Sequence, residues 1–299
     1  MRTSFIDQLI KEARQNEKIF LLVGDLGFSV VEPFAEEFPD RYINVGISEQ
    51  NMAGIAGGLA MNGWIVYCYS IGNFPTLRCI EQIRNDIVYY HSNVRIVSVG
   101  AGYAYGSQGV SHHATEDIGM LRTLPGMTIC SPSDPVEARM LTTLSSTYQG
   151  PMYIRLGKAG EKIFHQDNLS NYQIGDLIPL KREEGNEKLV IVSGSILKVV
   201  MHDIEARNLA YDVYTAPVVK PINSKQLCSL SERYKEIVVV EEHQKSCGIG
   251  SAIIESLSDA YYNDAIKTYP KVRRIAIEDV FYSVVGNEDY LRELAGLKL

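Results

Sequence analysis

An acid stands where the local pattern calls for none. In Gly46-Ile47-Ser48-Glu49-Gln50-Asn51-Met52, the carboxylate of Glu49 follows a short apolar run, Arg41-Tyr42-Ile43-Asn44-Val45, that reads as a strand. Ser48 offers a hydroxyl at a helix N-cap, and Met52, Ile55, Ala56 and Leu59 then recur at helical spacing. Glu49 therefore sits in the first turn, where the helix dipole favours a carboxylate. A surface acid compensating that dipole would account for it too. Ala53, Gly54, Ala56, Gly57 and Gly58 shift the balance, because five small residues let this helix approach other backbone closely and bury its start. Glu49 thus becomes a candidate for chemistry.

Other polar constellations admit two readings each. Gly24-Asp25-Leu26-Gly27-Phe28-Ser29 follows the first apolar run at the edge where open α/β sheets gather ligands, yet it is also an ordinary polar turn. The pair His112-His113 in Gln108-Gly109-Val110-Ser111-His112-His113-Ala114-Thr115-Glu116-Asp117 could hold a metal, but no third ligand is arranged nearby. Gly100-Ala101-Gly102-Tyr103-Ala104-Tyr105-Gly106 invites a dinucleotide reading. Its spacing is one residue too long and no helical pattern opens there, so a flexible loop bending over a site is the better account. Phe74 is either core filling or an aromatic surface for a ligand, and His243 looks like a ligand or a packing residue.

The elements that must position these groups alternate along the chain. Apolar runs at 19–23, 64–67, 94–99, 127–130 and 152–156 read as strands, and 3–16, 48–62, 76–91 and 134–147 carry helical periodicity, with Asp134-Pro135 as a helix entry. A second series of strands follows at 189–192, 211–214, 237–240 and 274–277. The fold expected is α/β, two three-layer domains with mainly parallel sheets. The boundaries read as a first domain over 1–160, a Gly-, Asn- and charge-rich linker over 161–187, and a second domain over 188–299.

Composition narrows the class. The 299 residues are 45% hydrophobic and 22% charged, enough for two domains, and the net charge of −7 gives no support for nucleic-acid binding. No run approaches membrane-spanning length and Asp7 interrupts the N-terminal segment, so the cytoplasm is expected. Five scattered cysteines, Cys68, Cys79, Cys130, Cys228 and Cys247, read as buried thiols.

The segment around Glu49 resembles the G-x-x-E-x-x-M signature of the transketolase family, in the domain that binds the aminopyrimidine ring of thiamine diphosphate. The resemblance extends over nearly the whole chain and implies a pyrimidine-binding domain followed by a transketolase C-terminal domain. It implies that Glu49 hydrogen-bonds the ring's N1′ and sets its tautomer. Asp25 would then lie near the thiazolium, with Phe74 stacked on the pyrimidine and Gln82, in Glu81-Gln82, following in the next helix. Ser29, Lys158 and, more distantly, Arg2 would hold an anionic end of the donor sugar. His112 matches the histidine of the G-x-T-H-Q-x-x-E loop, where an imidazole could bind a sugar oxygen and shuttle protons as a carbonyl becomes an alkoxide. Gln108 stands where many relatives have an aspartate that reads a donor hydroxyl, and Gly100 where several have a histidine. His113 replaces a glutamine.

No Gly-Asp-Gly occurs in the sequence, and the family uses that motif with a downstream Asn to hold Mg²⁺ on the diphosphate. The resemblance therefore implies a separate N-terminal-half subunit that ligates Mg²⁺ (or Ca²⁺), an α2β2 heterotetramer, and thiamine diphosphate between subunits. The expected activity is transfer of a two-carbon ketol unit from a ketose to an aldose. A 2-oxo acid dehydrogenase beta subunit, a deoxyxylulose phosphate synthase-like enzyme and a non-catalytic partner-binding subunit are the alternatives.

Overall fold

The computed structural model describes residues 1–166 and 169–299. The first half runs α1 (Arg2–Gln15), β1 (Ile19–Val23), α2 (Glu32–Glu37), β2 (Tyr42–Asn44), α3 (Glu49–Met61), β3 (Ile65–Ile71), α4 (Ile80–Gln82), β4 (Val94–Val99), α5 (Asp117–Arg122), β5 (Thr128–Cys130), α6 (Pro135–Ser145) and β6 (Met152–Leu156). The second runs β7 (Ile178–Lys181), β8 (Lys188–Ser193), α7 (Leu197–Arg207), β9 (Asp212–Thr215), β10 (Val218–Lys220), α8 (Ser224–Arg233), β11 (Glu236–Gln244), α9 (Ile249–Tyr262), β12 (Lys271–Ile277) and α10 (Glu288–Leu294).

Two sheets result, ordered β10-β5-β6-β4-β3-β1-β2 and β12-β11-β8-β9-β7. Every strand pair is parallel except β10 on β5 and β7 on β9. Central strands such as β1 and β4 are buried at every position, which suits parallel strands covered on both faces and explains their unbroken apolar runs. Helix α6 starts as its sequence suggests: Asp134 Oδ1 accepts from the backbone N–H groups of Val136 and Glu137, both at 2.9 Å, and Pro135 opens the first turn.

The two sheets share an interior. Strand β10 lies in the second half of the sequence, yet it adds antiparallel to β5 of the first sheet. One hydrophobic cluster then includes Ile129 and Tyr153 from the first sheet with Leu189, Ile191 and Ile237 from the second. At roughly 1.5–3 kcal/mol for each fully buried aliphatic side chain, this seam holds the two units to each other strongly.

Four sequence expectations change on inspection. The span 161–187 is not all connector, because Ile178–Lys181 forms the edge strand β7; positions 167 and 168 of that span lie outside the described residues. The helix expected over 76–91 is a 3₁₀ turn (Leu77–Cys79), the short α4 and a π turn (Ile83–Val88) in succession. The π turn runs against α3, where a Cβ at Gly57 would come within 2.6 Å of the Asp86 carbonyl oxygen, so the small residues of α3 serve this contact. Ser48 occupies the N-cap position of α3 but makes no capping bond; its hydroxyl donates to the Val45 carbonyl at 2.7 Å instead. Cys68, Cys79 and Cys130 are buried, whereas Cys247 is exposed, on a left-handed turn (φ 62°) that feeds α9.

Candidate active site

Glu49 is 1% exposed, which removes the reading of it as a surface acid. Helix α3 delivers it to the carboxyl edge of the first sheet, beside the end of β1 and β3, the side where open α/β sheets gather ligands. Ser70, on β3, donates its hydroxyl to Oε1 at 3.1 Å, and Arg78 Nη1 donates to Oε2 at 2.8 Å. The Arg78 guanidinium also lies over the Phe74 ring, 4.6 Å from its centroid.

Phe74 and His112, singled out separately in the sequence, lie in contact. Their rings meet edge-on with centroids 5.2 Å apart, and His112 Nδ1 is 3.0 Å from the Ser111 hydroxyl. The contact is built by the backbone of both loops: Asn73 Nδ2 donates to the His113 carbonyl, and Ser98 Oγ on β4 donates to the Gly72 carbonyl at 2.7 Å.

The glycine-rich loop is tied down at several points, against the expectation of a flexible flap. Gly102 pairs with Ala114 in a β-bridge, and the Tyr103 N–H donates to the buried Glu242 carboxylate at 2.8 Å. Glu242 in turn accepts from Arg292 of α10 (Nε at 3.0 Å), so the second domain pins the loop. His113 is buried edge-on against Tyr103, and burial lowers its affinity for a proton. It supports the loop. His243 does likewise for α5: its Nε2 accepts from the Gly119 N–H at 3.1 Å and its Nδ1 lies 2.8 Å from the Gln244 carbonyl, leaving the imidazole buried and shifted toward its neutral form by burial.

A second cluster gathers Arg2, Tyr105 and Lys158. Lys158 Nζ sits over the Tyr105 ring, 4.9 Å from its centroid, and the charge of Arg2 acts on the Tyr105 hydroxyl, whose affinity for its proton burial raises. Arg2 Nε is buried without a hydrogen-bond partner, an orphaned donor within this cationic cluster. Gly100 has φ +100°, and a Cβ there would come within 2.2 Å of the edge of the Tyr105 ring. The space a side chain at Gly100 would need is therefore taken by the ring of Tyr105. Sequence reading missed Tyr105; two tyrosines in a glycine-rich loop were the only signal.

Asp25 and Ser29 lie on the exposed turn after β1, both with left-handed backbone (φ 54° and 61°). Non-glycine residues hold that conformation only where the surroundings fix it, and such strain gathers at functional turns. Here Asn44 does the fixing. Its Oδ1 accepts from the Asp25 and Gly46 N–H groups, both at 3.0 Å, while its Nδ2 donates to Asp25 Oδ1 at 3.0 Å. The Ser29 N–H donates to Glu32 at 2.8 Å. Asn44 was not singled out in the sequence, where it is one polar residue in an apolar strand. Gln82 ends α4 with Oε1 buried and without a partner, and Gln108 stands exposed on a 3₁₀ turn (Gly106–Gln108).

This donor set suits a planar heterocycle with a hydrogen-bonding edge. A buried carboxylate, Glu49, and an aromatic face, Phe74, meet the same guanidinium, Asn73 next to Phe74 keeps a buried Oδ1 without a partner, and Gln82 Oε1 on the following helix is buried and unpartnered too. The pyrimidine end of thiamine diphosphate fits these requirements. Among the described residues, no group of three or more His, Cys, Asp or Glu side chains is placed to hold a metal ion, and no helix is long and apolar enough to cross a membrane.

Comparison with known proteins agrees with this geometry. Residues 1–160 match the family described as Transketolase, pyrimidine binding domain, and residues 178–298 match Transketolase, C-terminal domain. An apulose-4-phosphate transketolase subunit of Phocaeicola vulgatus is 32% identical over 265 residues, covering 86% of this chain and 83% of the relative. A putative transketolase C-terminal section of Methanocaldococcus jannaschii is 31% identical, over 99% of this chain and 92% of that one. A solved structure described as a split gene transketolase, inactive beta4 tetramer, superposes with a TM-score of 0.84 at 32% identity, covering 99% of this chain and 93% of its own. The chain belongs to the transketolase family and corresponds to the C-terminal section of a split transketolase.

Proposed function

We propose that this chain is the C-terminal subunit of a two-component, thiamine diphosphate-dependent transketolase, a transferase that moves a two-carbon ketol unit from a ketose with an anionic end to an aldose. One observation carries this reading: the carboxylate of Glu49, 1% exposed, and the ring of Phe74 both meet the guanidinium of Arg78, so a buried acid and an aromatic face border one place. When bound, the cofactor supplies the nucleophilic carbon and the electron sink. The chain supplies binding, orientation and proton control.

Glu49 would hold a proton against the pyrimidine's N1′, with Ser70 fixing the other carboxylate oxygen. Phe74 would offer the ring a flat apolar face, and Asp25, held by Asn44, would be the residue near the thiazolium. His112, set by its contact with Phe74 and by Ser111, donates to the substrate's carbonyl oxygen and takes up or returns its proton. At the outer edge Arg2, Lys158 and Ser29 bind an anionic tail, with the Tyr105 ring under the Lys158 ammonium; the relative named for apulose-4-phosphate supports a phosphate there. Gln108, which can donate as well as accept, would read a donor hydroxyl differently from a carboxylate.

The diphosphate and its Mg²⁺ (or Ca²⁺) fall to a partner subunit in an α2β2 assembly. Two findings support a partner: the relatives named as subunits or sections, and the exposed apolar residues Phe28, Ile43 and Ile47 (74%, 42% and 80%) next to Asp25, Asn44 and Glu49. All five cysteines are free, which suits a reducing cytoplasm.

Calorimetry with thiamine diphosphate and Mg²⁺ tests the reading. The chain alone is expected to give no binding at micromolar concentrations, and the chain mixed with its diphosphate-binding subunit to give tight binding. Micromolar binding by the chain alone would overturn the two-subunit site.

A further inference from the structure

Arg78 satisfies two site residues at once. Its Nη1 donates to Glu49 Oε2 at 2.8 Å, while its guanidinium carbon lies 4.6 Å from the centre of the Phe74 ring. A guanidinium is planar, delocalised and edged with N–H donors, and it stacks on aromatic faces. Toward Glu49 and Phe74 it therefore presents a flat face and a donor edge, the two features that the cofactor's pyrimidine ring presents when its N1′ carries the proton shared with Glu49. One such plane fits against both groups at a time.

We propose that Arg78 is a positioning residue that stands in for the cofactor's ring in the cofactor-free subunit, keeping Glu49 and Phe74 in place, and swings outward when the ring enters. The inference rests on the thiamine diphosphate reading above. Several features of the surroundings suit the movement. The Arg78 side chain is 45% exposed, so the charge reaches water without crossing the core. Its backbone is held independently, because Gln50 Nε2 donates to the Arg78 carbonyl at 3.1 Å, so the side chain can leave without unravelling the 3₁₀ turn. Glu49, at 1% exposure, would otherwise keep only the Ser70 hydroxyl as a partner, and a buried carboxylate with so little compensation is costly. The cofactor-free site thus stays formed by an internal ligand, at the expense of competition with the real one.

Arg78→Met removes the competitor, and Arg78→Lys keeps the charge without the plane. Both are measured in the complete complex with the diphosphate-binding subunit, by calorimetric titration with thiamine diphosphate at saturating Mg²⁺ and by melting with and without cofactor. For Arg78→Met, binding tightens by about fivefold, the scale of one half-exposed ion pair. The cofactor-free complex melts lower than wild type, and the saturated complex melts at the wild-type temperature. Arg78→Lys shifts both readouts in the same direction by less. Weaker binding together with a lower melting temperature of the saturated complex would place Arg78 in the loaded site and overturn the proposal, as would unchanged affinity and melting. A wild-type complex that binds no thiamine diphosphate would instead overturn the cofactor reading itself.

Discussion

Glu49→Gln is expected to lower turnover of the reconstituted enzyme by about two to four orders of magnitude, the range that a positioned acid or base contributes. The amide keeps the shape of the side chain and can still hydrogen-bond Ser70 and a ring nitrogen. What it lacks is the proton that a carboxyl shares with that nitrogen. Cofactor affinity should therefore change far less than turnover, and the melting temperature should stay near wild type, because Arg78 is half-exposed and can turn to water when its partner loses charge. Steady-state rates beside calorimetric affinity separate the two effects. Near-wild-type turnover would remove Glu49 from proton control.

The second large effect lies one layer out. Arg155, 2% exposed, donates Nε to Asp117 Oδ2 at 2.8 Å and Nη2 to the Glu242 carbonyl at 3.0 Å, with a further bond to the Ala114 carbonyl. Tyr153 donates its hydroxyl to the same Asp117 oxygen. These bonds fasten the loop that carries His112 to strand β6 on one side and to strand β11 of the second domain on the other. Arg155→Met leaves Asp117 buried and charged without its cation, and breaking such a pair costs about 3–5 kcal/mol. Thermal unfolding should fall by roughly 10 °C. In the molecules that remain folded, kcat should fall with little change in cofactor affinity, since Glu49 and Phe74, the proposed pyrimidine contacts, lie on other elements. A wild-type melting temperature would show that the buried pair is dispensable.

The groups that could be read directly from the sequence are those whose signal is local. Glu49 is marked by the residues within ten positions of it, Phe74 and His112 by the short segments around them, and the parallel strands by unbroken apolar runs. Groups defined by partners far along the chain were not legible. Arg78 is one charge in the apolar run Leu77-Arg78-Cys79-Ile80, and nothing in its spacing says that it reaches Glu49. Asn44 and Ser70 acquire their roles only when β1, β2 and β3 lie side by side. Tyr105 becomes part of the site because Gly100 has no side chain to exclude its ring.

The fold shows the same division. Val218 and Val219 read as part of the second domain, since their neighbours in sequence lie there, but the edge of β5 offers unpaired backbone groups that β10 satisfies. Ile178–Lys181 sits in a polar, glycine-bearing stretch and becomes a strand because β9 offers a free edge in the same way. In the case of Ser48, the Val45 carbonyl outcompetes the helix for the hydroxyl, a choice between two local hydrogen bonds that composition does not decide.

Product analysis of the reconstituted pair bears most directly on the proposed activity. The chain and its diphosphate-binding subunit are combined with thiamine diphosphate, Mg²⁺, a panel of ketose phosphates and other acidic ketoses, and an aldose acceptor, and products are identified by mass. The expected result is a donor shortened by two carbons and an acceptor lengthened by two, with neither subunit active alone. Consumption of pyruvate or other 2-oxo acids only, with no two-carbon transfer between sugars, would contradict it.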